Sequence, residues 1–284
     1  MTDAPRSPGT AVARVIAEPR HSWMRIARLH LAYGWRHRRL LSLADPKNFT
    51  ELVQHRKLTN RDLRMPGLID KVAVKAVVAD LLGPQWVTPT LWQGHELPEK
   101  PPWPRPFVVK SRHGCNQRRF VRTGQEDWGE IRRAAARWVR RDYGGWLDEQ
   151  GYRGIPRGIL VEPFVGETGT LPIDYKFYVF HGQVRCVQVH IEREYRHRWI
   201  LFDPDWHRLS RRTDDPDPAP PAALDAMIDA AQILGRGFDF VRVDFYETGG
   251  TPRFGEMTFY PGSGLDPFDP PALDAMLGRF WRDG

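Results

Sequence analysis

The sequence predicts an α+β fold in which helices and strands gather into separate layers. Three patterns carry this reading. The early part of the chain repeats apolar side chains at helical spacing. The middle mixes short β-type runs with one amphipathic helix. The last third holds strand pairs joined by tight turns. No strand–helix alternation recurs, as a uniform βαβ series would require, and no internal repeat is visible.

Residues 1–20 hold Pro, Gly, Arg and Ala without strong periodicity and read as a flexible tail. From 22 to 43, Trp23, Ile26, Leu29, Tyr33 and Leu40 recur at helical spacing, with Ser22 as the N-cap. This basic helix is expected to pack on the body of the protein, with a membrane or partner surface as the alternative. A second helix spans 72–82 behind Asp70-Lys71, and a Pro/Trp-rich linker covers 97–106. Phe107-Val108-Val109-Lys110 is a short strand. Residues 126–142 form an amphipathic helix with Ile131, Ala134, Ala135, Trp138 and Val139 inward. Further strands are expected at 159–162, 175–180 and 184–191, the last two joined by a turn at His181-Gly182. A proline-rich acidic loop at 214–221 precedes a helix at 222–234. Strands at 241–246 and 253–259 flank Gly249-Gly250, and a short helix closes the chain at 273–281.

With 284 residues, 41% of them hydrophobic, the chain can bury one large core or two smaller ones. Its apolar runs fall short of the ~20 residues needed to span a bilayer, and no apolar leader opens the sequence. Two cysteines, Cys115 and Cys186, make neither a disulfide framework nor a zinc set, so a reducing cytoplasm is expected. The net charge of +7 admits nucleic acid, an anionic membrane or a phosphorylated ligand as partner. The arginines are dispersed, with clusters at 36–39 and 193–198 that read equally as solvated faces. Without a zinc pattern, an RNP-type aromatic motif or a dense basic stripe, nucleic acid is not expected.

The strongest chemical signal lies near the C-terminus. In Val241-Arg242-Val243-Asp244-Phe245-Tyr246, Arg242 and Asp244 fall on one side of a strand and the apolar residues on the other. In Phe254-Gly255-Glu256-Met257-Thr258-Phe259, Glu256 and Thr258 share a side. A tight turn would bring Asp244 beside Glu256, two carboxylates and a hydroxyl making the all-oxygen set that Mg²⁺ prefers. Arg242 beside them could stabilise charge on a transferring phosphoryl group. The bland alternative is two strands with ordinary polar faces. Directly after them, Tyr260-Pro261-Gly262-Ser263-Gly264 frees backbone N–H groups to approach an anion.

Arg-x-Asp followed by Glu-x-Thr and Pro-Gly resembles the metal-binding end of ATP-grasp ligases. The order of motifs is more specifically similar to the TupA-like ATP-grasp family, which is linked to teichuronopeptide and polysaccharide biosynthesis. Asp45-Pro46-Lys47-Asn48-Phe49-Thr50-Glu51 opens the series. Asp70-Lys71, Val109-Lys110 with His113-Gly114, Val161-Glu162, Asp174-Tyr175-Lys176-Phe177, and the two C-terminal segments complete it, over roughly residues 43–281. The resemblance implies an ATP-grasp fold, two α+β subdomains that grip a nucleotide between antiparallel sheets. On that frame 1–20 is the tail, 21–105 a helical region, 106–165 the lid, and 166–284 the C-terminal core with the metal site.

The resemblance also implies roles. Lys110 and Lys71 would contact phosphates, and His113-Gly114 would belong to the phosphate-covering loop, where Cys115 and Asn116 replace the expected small residues. Glu162, with the backbone of Pro163, Phe164 and Val165, would lie at the adenine edge, and Glu167 at the ribose. Lys176 would be a basic phosphate ligand supported by Asp174, and Arg242 would serve in catalysis. Asp244, Glu256 and Thr258 would hold Mg²⁺, while Arg193 and Pro261-Gly262-Ser263-Gly264 would face the acceptor. No activating partner marks Cys115 as a nucleophile. The implied reaction is ATP- and Mg²⁺-dependent joining of a carboxylate to an amine through an acyl phosphate. The alternatives are a phosphotransferase of the same fold, a basic nucleic-acid binder and a degenerate scaffold. The implied partners are small-molecule, peptide or glycan substrates, with an acidic or membrane-linked acceptor favoured by the basic surface.

Overall fold

The computed structural model describes residues 22–166, 170–191, 198–213 and 216–284. The expected tail, Glu167 and Arg193 lie outside the described residues. Two antiparallel sheets organise the rest. The smaller has the order β1-β4-β2-β3, from Trp92–Gly94, Phe107–Ser111 (β2), Arg118–Val121 (β3) and Ile159–Pro163 (β4). The larger has the order β7-β6-β5-β8-β9, from Asp174–Phe180 (β5), Gln183–Ile191 (β6), Arg198–Phe202 (β7), Phe240–Thr248 (β8) and Thr251–Thr258 (β9). The small sheet takes its edge strand β1 from upstream of residue 106, within the stretch assigned to the helical region.

Both expected hairpin turns form. His181-Gly182 and Gly249-Gly250 each place two successive residues at positive φ, the conformation whose twist matches antiparallel strands. Sequence reading missed β1, β3 and β7, which are short and carry arginine or tryptophan instead of an alternating apolar pattern.

The large sheet buries one face completely. Phe177 and Val179 of β5, Val241, Val243 and Phe245 of β8, and Val187 and Val189 of β6 pack against helix Leu224–Gly235 through Met227, Ala230, Ala231 and Leu234. The opposite face is divided. At one end Tyr178, Phe180 and Phe240 meet Phe49 and Trp281, from helices Phe49–Thr59 and Ala272–Arg282. At the other end the same strands present only polar side chains, and there the cleft opens. In the small sheet Phe107, Val109, Val121, Ile159 and Val161 pack on helix Trp128–Val139, which leaves Val108, Lys110, Leu160 and Glu162 on the other face.

In chain order the α-helices are α1 (Ser22–His37), α2 (Phe49–Thr59), α3 (Met65–Ile69), α4 (Ala73–Leu82), α5 (Trp128–Val139), α6 (Leu224–Gly235) and α7 (Ala272–Arg282). The first of these corrects an expectation. It stops at His37 and does not run to Leu43, because Arg38 adopts φ 54° and its N–H closes on the Gly34 carbonyl. Helix α2 was not read as a helix. Its N-terminus is a capping box: Glu51, three residues past Asn48, accepts from the Asn48 N–H at 3.0 Å. The opening motif of the family series thus starts a helix that belongs to the core.

Residue β9 Gly255 is a bulge. Phe245 pairs with Phe254, yet Asp244 pairs with Glu256, so one extra residue sits in β9. Simple alternation would put Phe254 and Glu256 on one face. The bulge sends Phe254 into the core and Glu256 into the cleft. A Cβ at Gly255 would come within 3.0 Å of the Asp244 carbonyl oxygen, so glycine alone fits without a shift.

Phe49 is 1% exposed and touches five aromatic rings, among them Phe240 at 4.9 Å between centroids and Trp281 at 5.4 Å. Phe49→Ala is expected to lower stability by about 3–5 kcal/mol, read as a reduced urea midpoint at unchanged slope.

Candidate active site

The site grows from the register of three neighbouring strands. Lys176 of β5 lies opposite Asp244 of β8, and Asp244 lies opposite Glu256 of β9. Their side chains therefore leave the sheet on one face, side by side. Lys176 Nζ sits 2.6 Å from both Asp174 Oδ2 and Asp244 Oδ2. Arg242 grips Asp244 with Nε and Nη2 at 2.7 Å each, and also donates to Thr258 Oγ1 at 3.1 Å. Burial alone would lower the Arg242 pKa, but the Asp244 carboxylate outweighs it and raises it, so the guanidinium stays charged. Asp244 is 1% exposed, whereas Glu256 keeps a third of its side chain open to the cleft.

The small sheet supplies the second charge group. Lys110 Nζ lies 2.6 Å from Glu162 Oε2, and Lys75 of α4 pairs with the other oxygen of the same carboxylate. Burial would raise the Glu162 pKa, but Lys110 and Lys75 together pull it below the usual carboxylate range. Lys75 also donates to the Thr88 carbonyl at 2.9 Å and to Thr90 Oγ1 at 2.6 Å, which ties α4 to the segment just before β1. Lys71 joins the two groups. Its ammonium donates to the Gly114 carbonyl, and the charges it senses most are Glu256, Cys115, Lys110 and Glu162. Burial lowers its pKa while Glu256 opposes that.

The loop between β2 and β3 is closed by Ser111 N–H donating to the Gln117 carbonyl at 3.0 Å. Gly114 is pinned by its own N–H to Ser111 Oγ at 3.1 Å, and a Cβ there would strike Gln117 at 2.3 Å. Arg112 anchors the loop base to Asp70 through two bonds of 2.7 and 2.5 Å. His113 departs from its expected place in the nucleotide group. Its buried ring is occupied by the Trp138 and Arg141 carbonyls, both 3.1 Å from Nε2, so it staples the loop to the end of α5. Cys115 does reach the cleft, but burial pushes its thiol up and Glu256 adds to this, against the opposing pull of Lys71 and Arg242. A thiolate nucleophile is thereby disfavoured. After β4 the Phe164 N–H is taken by the Pro106 carbonyl at 3.0 Å, continuing the sheet past Pro163.

The turn after β9 is backbone-strained and firmly held. Gly262, Ser263 and Gly264 have φ of 52°, 56° and 64°. Helix α2 supports them from below: Gln54 Nε2 donates to the Ser263 carbonyl at 2.8 Å, and Lys57 Nζ donates to the Ser263 carbonyl at 2.8 Å and to Ser263 Oγ at 2.7 Å. Lys57 is 1% exposed, and burial lowers its pKa from 10.5 to about 8 despite Glu149 and Asp148 nearby. Beside the turn and Arg242 opens a cavity of about 300 Å³ lined by Tyr178, Gln188, His190, Trp199, Asp266 and Phe268.

Sequence reading missed Lys75, although it stands four residues from Lys71 on one helical face, a visible signal. It also missed Gln54 and Lys57, which had no signal while α2 was unread. The described residues include one group of three potential metal ligands, Asp203, Asp205 and His207, and it lies at the end of β7 in a mostly exposed loop.

Two antiparallel sheets, the smaller carrying Lys110 with Glu162 and the larger carrying Asp244 and Glu256 with Lys176 and Arg242, define an ATP-grasp type of protein. The TupA-like ATPgrasp family profile matches residues 51–281, and the chain belongs to that family. None of the curated proteins compared with it matches in sequence. Among solved structures, D-alanine–D-alanine ligase from Bacillus anthracis complexed with ATP is similar at 11% identity and a TM-score of 0.41, over 68% of this chain and 54% of that one. L-amino acid ligase from Bacillus licheniformis is similar at 13% identity and 0.45, over 77% and 47%. ATP-grasp ligase PsnB complexed with minimal precursor is similar at 13% and 0.42, over 77% and 63%. This chain thus spans between 47% and 63% of the length of these three.

The family implies ATP and Mg²⁺, and the donor set fits both. Asp244, Glu256 and Thr258 offer only hard oxygens, on adjacent strands. Lys71 and Lys110 offer mobile cations suited to a polyphosphate, while Lys75 is engaged by Glu162 and Lys176 by Asp174 and Asp244.

Lys57 gives a pH prediction. Its folded pKa lies below the unfolded value, so between pH 8 and 10.5 the unfolded chain holds a proton that the folded chain has released. Stability from this group is therefore present above that window and lost as pH falls through about 8. Relative to Lys57→Met, the wild-type stability is expected to rise by up to about 3 kcal/mol from pH 7.5 to 10.5, measured by urea titration at each pH.

Proposed function

We propose that the protein is an ATP- and Mg²⁺-dependent carboxylate–amine ligase acting in glycan, peptide or natural-product biosynthesis. The reading is supported above all by the strand register that sets Lys176, Asp244 and Glu256 side by side on one face of the large sheet, with Lys110 and Glu162 paired on the small one. That placement suits a polyanion bound together with Mg²⁺. A substrate carboxylate would take the γ-phosphoryl group of ATP, giving an acyl phosphate and ADP, and an amine would then displace phosphate to form the amide.

The residues divide this work. Asp244, Glu256 and Thr258 would hold Mg²⁺, which would neutralise phosphate charge. Lys71 and Lys110 would bind phosphate oxygens as mobile point charges, with Lys75 keeping Glu162 and the hinge in place. Lys176, held by Asp174, and Arg242 are charged groups already aimed at the cleft, and they would stabilise the charge developing on the transferred group. The lid loop around Gly114 would exclude water from the acyl phosphate. The turn Pro261–Gly264 and the cavity beside Arg242 would seat the acceptor, and an acidic or membrane-linked acceptor fits the net charge of +7. We place the reaction in the cytoplasm, where the free Cys115 and Cys186 stay reduced. Arg193 and Glu167 keep their proposed roles at the acceptor and the ribose.

The test is ADP release with Mg-ATP across paired carboxylates and amines, with hydroxylamine as a general trap. Hydroxamate formation supports the ligase, while a stable phosphoester product would replace it with a phosphotransferase. Glu256→Gln is the cleaner variant, because Asp244→Asn would also strip the counter-charge from Arg242 and Lys176. Glu256→Gln is expected to reduce Mg²⁺-dependent ADP release at least about a hundredfold with an unchanged melting curve. Undiminished turnover would refute the site.

A further inference from the structure

Helix α1 is apolar on two opposite faces, and the fold uses only one of them. Leu29 and Tyr33 are buried, 2% and 0% exposed, in a cluster with Leu41, Leu43 and Leu58. Trp23, Ala27, Leu31 and Trp35 follow one another at four-residue spacing along the other side. Of these, Trp23 is 66%, Leu31 74% and Trp35 78% exposed. A helix that is hydrophobic all round ordinarily lies buried, so the outer face is built for something else.

A loop extends this face. Trp146 is 76% exposed and stands beside α1, with the Arg28 guanidinium 5.4 Å from its ring. Arg25 and Arg28 hold the loop in place through Asp148, at 2.8 and 2.5 Å. Between helix and loop runs an apolar groove of about 500 Å³, with Trp23, Leu31, Trp35 and Trp146 at its walls and Gln54 and Lys57 at its floor. Around the apolar stripe arginine predominates, with one exposed acid, Asp266, 3.8 Å from Arg36. Helix α1 has no acidic residue, and Arg36 and Arg38 are exposed at its C-terminal end beside Trp35 and the 91% exposed Leu40.

We infer that this face docks on an anionic lipid bilayer. Tryptophan and leucine on one side of a helix, flanked by arginine, match the boundary between acyl chains and anionic headgroups. Among the described residues no helix is long and apolar enough to cross a membrane, so this contact is interfacial. The docked helix also touches the acceptor turn. His37 Nε2 lies 3.1 Å from the Gly264 carbonyl, Arg36 Nε donates to the Leu265 carbonyl at 3.1 Å, and the groove floor residues Gln54 and Lys57 hold Ser263. Docking therefore sets the largely buried Pro261–Gly264 turn behind the face that meets the lipid. The step from docking to a lipid-linked acceptor rests on the proposed ligase reading; docking itself does not.

The test is co-sedimentation of the full chain with vesicles of phosphatidylcholine alone and of phosphatidylcholine with 30% phosphatidylglycerol, by mole. Tryptophan emission is recorded in parallel. Binding is expected to the anionic vesicles at least about tenfold more strongly than to the neutral ones, with a blue-shifted emission and loss of binding in high salt. Leu31→Glu with Trp35→Glu is expected to abolish binding, and Arg36→Gln with Arg38→Gln to weaken it severalfold. Melting curves of both variants check that the inner face of α1 still packs. Equal partition into the two vesicle types, no binding to either, or a Leu31→Glu/Trp35→Glu variant that binds like the wild type would each overturn the inference. A dimer in light scattering that the same variant dissociates, without vesicle binding, would assign the face to a second copy and also overturn it. ADP release with soluble substrates is measured on the Leu31→Glu/Trp35→Glu variant. It is expected to be unchanged, which separates failure of docking from failure of the ligase reading.

Discussion

Asp244 is enclosed by two cations in the middle of the large sheet, and the geometry of the cleft follows from that arrangement. A carboxylate, an ammonium and a guanidinium taken out of water each carry a large desolvation cost, so each must find its partners in the fold. Asp244 answers both Lys176 and Arg242 within 2.7 Å, and Lys176 is shared with Asp174. These contacts span β5 and β8 and reach β9 through Thr258 and Glu256, so they are satisfied in only one register of three strands. The charge cluster and the sheet therefore specify each other, and the polar half of the sheet face is preorganised before any ligand arrives.

The two walls of the cleft are joined by helices more than by strands. The turn leading into α4 carries Lys71 to the β2–β3 loop, and the first turn of α4 carries Lys75 to Glu162, so one short segment touches the small sheet at two points. Helix α2 does the corresponding work at the turn after β9. One of its faces closes the aromatic end of the sheet through Phe49, and Gln54 and Lys57, a turn further on, carry the strained turn after β9. Arg56 of the same helix donates to the Phe240 and Phe259 carbonyls, at the ends of the strands that bear the acids. The placement of Asp244, Glu256 and the turn at 261–264 thus depends on a helix that carries none of those residues.

Much of this was legible in the sequence where a local rule applied. Period-two alternation placed Arg242 with Asp244 and Glu256 with Thr258, and two positive-φ dipeptides marked both hairpins. The amphipathic pattern of 126–142 gave α5, trimmed at both ends to Trp128–Val139. What escaped detection was set by partners distant in sequence. Lys57 gains its meaning from Ser263, and Glu162 from Lys75, contacts that no periodicity announces. Helix α2 has a weak amphipathic pattern because Gln54, Arg56 and Lys57 point inward as anchors, so only its Asn48-x-x-Glu51 capping box could have betrayed it. His113 shows the converse. A family motif put it with the nucleotide, and the two carbonyls at the end of α5 claim its ring.

The extra residue at Gly255 has a consequence for how the C-terminal hairpin tolerates change. Inside–outside parity along β9 is reset there, so the tip from Thr248 to Thr251 and the acidic segment beyond are out of phase with each other. Residues added at the exposed Gly249-Gly250 tip leave the acids in their present frame. Removing Gly255 would instead bring the whole ribbon into one phase. Phe254 and Glu256 would then be consecutive and still point to opposite faces, so the ring would stay in the core and the carboxylate on the polar face, while the local bend of the bulge would be lost.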